Sequence, residues 1–394
     1  METLAEFKNF ANFAVMKKFI ITVAAITLAA LINEASACTT AIVSPQASKS
    51  GKALLWKQRD GSNPHNVLVH IPAGEGTFAF TGIFNAKDKE RKDCWGGSNE
   101  KGFSLVNNMS FNVSEEDVSS DNGKIISEAL KTCATIGDFE NYLRKFESRK
   151  CSSNFACIDA TGCGAYFEVS VGLLKRYDVP EGGWLVRTNF SFAGEPDGPS
   201  GLDRYNAAEY LMSKHKGKFT AEDLIDGLGR SYYNSVGGCD ALKIGKQKAF
   251  RDDGYIARPS TVSSICVEGT DLMWVAIGCT PDSFSAPVLV SAGDDIPEML
   301  KASGEEGLSE GCEYSLSLNH YCHLFNRDIS DRYLDVRKAK ATLAAVRKFE
   351  ASAMKLGRTA YQNGTPASKS DIAKVNRDIA GLFESFKAAT NHAL

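Results

Sequence analysis

From Cys38 to about Thr280 the chain alternates short apolar runs with clusters of Gly, Asn and Asp. That is the pattern of β-strands joined by tight turns. Strands are predicted over 39–43, 53–56, 67–71, 78–84, 103–109, 156–158, 165–169, 183–188, 262–267 and 273–277, an inventory that suits two sheets. Between them, Ile126, Ala129, Leu130 and Cys133 recur at helical spacing, and Phe139, Leu143 and Phe146 share one side of a second helix. Thr220 and Asp223 have the spacing of a capping box, which predicts a helix start. Past about Pro281 the chain becomes more charged and richer in Ala. Residues 331–356 place Leu343, Val346, Phe349 and Leu356 on one helical face. After a break at 363–366, residues 370–389 do the same with Ile372, Val375, Ile379, Leu382 and Phe386. Helices outside sheets predict a layered α+β domain over 38–300. A helical extension over 301–394 is expected to pack on that domain or to mediate a homo-oligomer.

The first 37 residues have a different pattern. Lys17 and Lys18 precede an uncharged run of 14 residues, Phe19 to Ile32, apolar apart from Thr22 and Thr27, and Ala35-Ser36-Ala37 follows. A basic start, an apolar middle and small residues at the cut are the parts of a secretory signal. The run is shorter than the roughly 20 residues a membrane-crossing helix needs, so no permanent span is expected. Met16 is an alternative start, because Met16-Lys17-Lys18 opens a compact signal. The expectation is an exported protein, periplasmic or extracellular, matured by signal peptidase after Ala37.

Composition narrows the function classes. Lys plus Arg number 45 and Asp plus Glu 48, for a formal charge of -3. Without a concentrated basic surface, nucleic acid is not an expected partner. There is no Gly-x-Gly-x-x-Gly after a strand and no Gly-x-x-x-x-Gly-Lys-Ser/Thr, so no cofactor is expected.

A cut after Ala37 gives Cys38 both a thiol and a free α-amine. That amine titrates at about 7.7–8.0, close to where a general base works at neutral pH. One residue then supplies nucleophile and base. Lys57-Gln58-Arg59-Asp60 falls where a strand returns beside the first. Asp60 could orient the amine there, and a neighbouring cation would lower the thiol pKa. Acylation of Cys38 as a lipoprotein would instead remove the base. Ala35-Ser36-Ala37-Cys38 lacks the large aliphatic residue usual three positions before a lipidated cysteine.

Cys38-Thr39-Thr40, Lys57-x-x-Asp60, the run from Gly97 to Gly102, Arg187-Thr188-Asn189-Phe190 and the run from Thr261 to Ile265 occur in this order. Together they resemble the N-terminal-nucleophile hydrolases of linear amides, the group of choloylglycine hydrolases, penicillin acylases and penicillin acyltransferase-like proteins. The resemblance covers roughly residues 38–281. It implies a four-layer αββα sandwich and cleavage of a small-molecule amide through a thioester, with acyl transfer a close alternative. It also implies Cys38 as nucleophile, Asp60 as amine-orienting group and Asn189 as oxyanion donor. A second oxyanion donor is implied at Asn107 or Asn108. Lys57 stands where the family usually has Arg, and Arg258 lies where it places a stabilising arginine. Two other readings stay open: an N-terminal-nucleophile dipeptidase, and a lipid-anchored ligand-binding protein.

Ten cysteines remain besides Cys38, an even number in a chain expected to be exported, so some disulfides are expected. Cys133 and Cys266, within apolar patterns, read as buried thiols. His320-Tyr321-Cys322-His323 lacks a second ligand cluster and reads as a structural turn. No metal is expected.

Overall fold

In the computed structural model, the described residues are 37–113, 121–145, 151–195, 200–243, 247–250, 254–325, 332–361 and 367–391. The expected signal and the alternative start at Met16 lie outside them, as do Phe146, Asp331 and the break at 363–366. Residues 37–394 group as one compact unit.

Two antiparallel sheets form the centre. Strands β1 (Cys38–Val43), β2 (Leu54–Asp60), β3 (Asn66–Ile71), β4 (Phe80–Asn85), β5 (Cys94–Asn99), β6 (Ser104–Met109), β7 (Ser153–Ile158), β8 (Gly164–Ser170), β9 (Leu173–Asp178) and β10 (Trp184–Arg187) come first in the chain. Later come β11 (Thr261–Glu268), β12 (Leu272–Ile277) and β13 (Ala286–Leu289). One sheet runs β10-β1-β2-β11-β12-β13, and the other is a meander from β3 to β9 in sequence order. Ile42, Leu55 and Ile265 of the first sheet pack against Leu68, Ile83, Val106 and Tyr166 of the second. Each such fully buried side chain contributes on the order of 1.5–3 kcal/mol.

Both outer faces carry helices. On the meander, α1 (Asn122–Thr132) and α2 (Ile136–Lys145) lay Ile126, Leu130, Phe139 and Leu143 against Phe103, Phe155 and Phe167. On the other sheet, Ala208 and Met212 of α3 (Leu202–Lys214) cover Val43 and Trp56, together with Leu224, Ile225 and Leu228 of a π-helical turn. The capping box predicted before that turn is present. The Asp223 amide donates to Thr220 Oγ1, and Asp223 Oδ2 accepts from the Thr220 amide. The result is the four-layer αββα arrangement.

The C-terminal pattern forms α4 (Glu310–Cys322), α5 (Val336–Tyr361) and α6 (Lys369–Thr390). Val346, Phe349, Ala353, Ile379 and Phe386 of the last two join the core cluster that lies between the sheets. Glu350 of α5 receives both arms of the buried Arg230 guanidinium, at 2.5 and 2.6 Å, and the Ser285 amide at 2.8 Å.

Several elements depart from the sequence reading, among them Arg332–Asp335, expected in the first turn of a helix, which form a short strand before α5. Cys94–Asn99 forms a central strand despite two glycines, because a Cβ on Gly97 would lie 2.4 Å from Thr81 O of the adjacent β4. Strand β9 is polar because it is the edge of its sheet. His320 to Cys322 is the last turn of α4 rather than a free turn, and His323 opens a short strand. The cysteines also depart from expectation, for none of the eleven is joined in a disulfide. Most sit singly in apolar cores, where a thiol packs as a small hydrophobe.

Candidate active site

The site is set by strand register. In β1 and β2, Cys38 stands opposite Arg59 and Thr40 opposite Lys57. Directly opposed residues of an antiparallel pair share a face, and alternation puts both pairs on the same one. That face is turned to the second sheet, since Thr40 Oγ1 donates to Asn108 Oδ1 at 2.6 Å and lies 2.9 Å from Tyr166 Oη. Cys38, 5% exposed, is therefore a nearly buried thiol with two cations on its own face.

Both cations are held by neutral partners. Lys57 Nζ donates to Trp95 O at 2.7 Å and Asn107 Oδ1 at 2.8 Å. Arg59 donates to Asn66 Oδ1 at 2.7 Å and lies over the Trp95 ring. Burial pushes the Lys57 ammonium down to about 8, against the opposing pull of the Cys38 thiolate. The same desolvation pushes Arg59 down to about 10. A charge that is costly to bury is relieved when an anion forms beside it.

The peptide joining Ala37 to Cys38 is fastened on both sides. The Asp60 amide donates to Ala37 O at 2.8 Å, and the Cys38 amide donates to Asn189 Oδ1 at 2.9 Å. Asp60 accepts from Thr261 Oγ1 at 2.8 Å and faces Arg258 at 3.7 Å. A β-bulge in β11 between Thr261 and Ser263 lies opposite Asp60 and Arg59, an irregularity that re-aims side chains. Sequence reasoning placed Asp60 and Arg258 in the site separately, and the structure brings them together.

Asn189 follows β10, next to β1. Its Oδ1 also accepts from Arg204 Nη2 at 2.5 Å, and its Nδ2 donates to Met109 O at 2.9 Å. Since a guanidinium only donates, the carbonyl end of Asn189 faces Cys38. Asn108 Nδ2 points to Arg187 O at 3.4 Å, and its Oδ1 is held by Thr40. The candidate oxyanion donors thus face protein carbonyls, and Asn107 serves Lys57.

Arg204 is the residue the sequence reading missed. From α3 it donates to Cys38 O at 2.7 Å and Thr39 Oγ1 at 3.1 Å, as well as to Asn189. It is 2% exposed and ties strand β1 to the Asn189 side chain. Gly201 makes this approach feasible: its φ is +83°, and a Cβ there would lie 2.7 Å from Arg204 Nη2. A basic residue in an amphipathic helix is usually a surface group, so the sequence carried no signal.

Aromatic rings border the site. Phe190, Phe192 and Tyr205 form a mutual cluster beside Asn189 and Arg204, with centroids 5.4–5.6 Å apart. The Phe111 amide donates to Asn189 O at 3.0 Å. Phe111 and Phe192 are 41% and 46% exposed, an apolar rim in water. Behind it, Arg187 pairs with the buried Glu168 at 3.1 Å and lies 3.9 Å from the Phe192 ring centre.

With this geometry in place, the chain can be compared with known proteins. Neither a protein-family model nor a curated protein sequence matches it. Among solved structures it is similar to an N-acylethanolamine-hydrolysing acid amidase orthologue of Caenorhabditis elegans. The identity is 14%, the TM-score 0.40, and 58% of this chain and 92% of that chain are covered. It is similar also to penicillin V acylase of Agrobacterium tumefaciens, with 13% identity, TM-score 0.39 and coverage of 63% and 85%. A variant of conjugated bile acid hydrolase from Clostridium perfringens gives 10% identity, TM-score 0.41 and coverage of 65% and 94%. The chemistry of the site rests on its own residues.

Proposed function

We propose that the protein is an N-terminal-cysteine hydrolase of linear amides, activated by removal of the residues before Cys38. The observation that carries this reading is the fastening of the 37–38 peptide between Asn189 and the Asp60 amide, on a face with two buried cations. Cutting there leaves a Cys38 α-amine beside an acceptor already in place, Asn189 Oδ1. The amine takes the thiol proton, and Lys57 and Arg59 stabilise the thiolate. Sulfur attacks the amide carbonyl, and the tetrahedral oxyanion needs donors. Asn189 Nδ2 supplies one by exchanging Met109 O for the substrate, as catalytic hydrogen bonds that form only in the substrate complex do. The α-ammonium then protonates the leaving amine, and water, activated by the same amine, releases the acid from the thioester. The exposed Phe111 and Phe192 rings favour an apolar acyl group.

Cys38→Ala is expected to abolish hydrolysis of N-acyl amides with folding intact, measured by product release and circular dichroism. Mass spectrometry of the exported protein is expected to find an unmodified Cys38 at the N-terminus. Hydrolysis by a chain that keeps residues before Cys38 would overturn the role of the amine, and an acylated Cys38 would favour a lipid-anchored binding protein. Accumulation of the acyl group on an added amine would redirect the reading to acyl transfer.

A further inference from the structure

Away from this site, the β2–β3 connection meets the first turn of α4. His65 precedes β3, five residues after Asp60, and Cys312 and Glu313 are adjacent in the helix. The helix start is fixed by Ser309, whose Oγ accepts from the Cys312 amide at 3.2 Å and donates to Met299 O at 2.6 Å. The loop is fixed from the other side by Asn66. Its Nδ2 donates to Asn63 O and Pro64 O, and its Oδ1 holds Arg59.

Two anchored segments thus present three donors of different type. His65 Nδ1 lies 2.7 Å from Glu313 Oε1, Cys312 Sγ lies 3.1 Å from Pro64 O, and the three ligand atoms are within 4.8 Å of one another. As a surface ion pair, His65–Glu313 is worth little, since both side chains are well exposed. A buried thiol beside an imidazole and a carboxylate has a more specific use.

We propose that His65, Cys312 and Glu313 form a zinc site that pins the β2–β3 connection to α4. Imidazole, thiolate and carboxylate are the ligands Zn²⁺ takes, at about 2.0–2.3 Å, while Ca²⁺ and Mg²⁺ require oxygen. Ligands around a tetrahedral ion of that size lie roughly 3.3–3.8 Å apart. Cys312 Sγ therefore closes on the other two by up to about 1 Å, while His65 Nδ1 and Glu313 Oε1 open from 2.7 Å, both through side-chain rotation. Cys312 loses its thiol proton to solvent on binding, and the two anionic ligands balance the ion. The partial exposure of His65 and Glu313 leaves the fourth position to water. The site is separate from Cys38, and the proposal stands independently of the hydrolase reading.

The test uses the full chain carrying Cys38→Ala, so that the Cys38 thiol cannot compete, and Co²⁺ as the probe. One equivalent of Co²⁺ is expected to give a thiolate-to-cobalt charge-transfer band in the near ultraviolet, bleached by one equivalent of Zn²⁺. His65→Ala, at a half-exposed position that threatens folding little, is expected to weaken binding by about a hundredfold, since even outer-shell changes cost 10–100-fold. Cys312→Ala is expected to remove the band, and Cys163→Ser, at the exposed thiol, to leave it unchanged. Absence of the band, its survival in the His65→Ala protein at unchanged affinity, or its loss with Cys163→Ser would each overturn the proposal.

Discussion

Lys57 spends two N–H groups on Trp95 O and Asn107 Oδ1, and burial brings its pKa down from 10.5 to about 8. Folding and catalysis respond to this in opposite directions. Between about 8 and 10.5 the folded chain binds fewer protons at this residue than the unfolded chain, so this group's contribution to stability rises with pH. Below about 8 the lysine is charged in both states, and the full cost of burying the cation is present. On the proposed mechanism, activity instead falls above about 8, as the ammonium that stabilises the thiolate is lost. Lys57→Arg is expected to shift that alkaline limb of kcat/KM upward in a pH–rate profile, because guanidinium stays charged. Arg204 acts by position. Arg204→Gln removes the donors to Cys38 O and Asn189 Oδ1 and is expected to lower kcat by about tenfold or more with little change in KM, measured by steady-state kinetics. At this scale the sequence singled out Cys38, Asp60 and Asn189, which the structure brings together around the 37–38 peptide. It was silent at Arg204, whose role depends on a helix crossing β1 from a distant part of the chain.

Among the elements, β-strand periodicity proved the most legible feature. The ten predicted strands all form, with ends displaced by up to four residues. What periodicity could not supply was close approach. Strand β5 carries Gly96 and Gly97 where bulkier residues would read as strand, and its pairing with β4 leaves no room for a side chain at Gly97. The helix α3 was unreadable for a related reason: its aromatic and charged residues serve the site as well as the core, and that blurs its apolar stripe. Gly201 before it is an exacting position. Gly201→Ala forces a side chain at φ +83° against Arg204, and is expected to cost about 1–3 kcal/mol in urea unfolding. The same change is expected to reduce turnover, because Arg204 must move away from Cys38 O.

For the molecule as a whole, the last two helices are part of the core. Phe349 and Phe386 stack edge-on with centroids 5.6 Å apart, and Phe284 of the main body meets Phe386 at 5.6 Å. The Arg230–Glu350 pair closes this junction from within. Glu350→Ala removes the carboxylate that takes both arms of the buried guanidinium, leaves it facing Asp226 at 3.6 Å, and is expected to lower stability by about 3 kcal/mol, read as a shift in the denaturation midpoint. Amphipathic spacing revealed these helices but not their destination. An apolar helical face has the same sequence signature whether it covers a sheet, fills a core or meets another chain.

Strand β1 lies between β10 and β2, and its first residue is Cys38. A peptidase grips its substrate as an extended, unpaired strand, and here the backbone on both sides of the 37–38 bond is already engaged. On the proposed reading, maturation therefore has a deadline. The leader must be cut while β1 is still unpaired, before the sheet closes, and export and folding form an ordered sequence. A chain allowed to fold first is expected to resist signal peptidase in a cleavage time course that its unfolded counterpart completes.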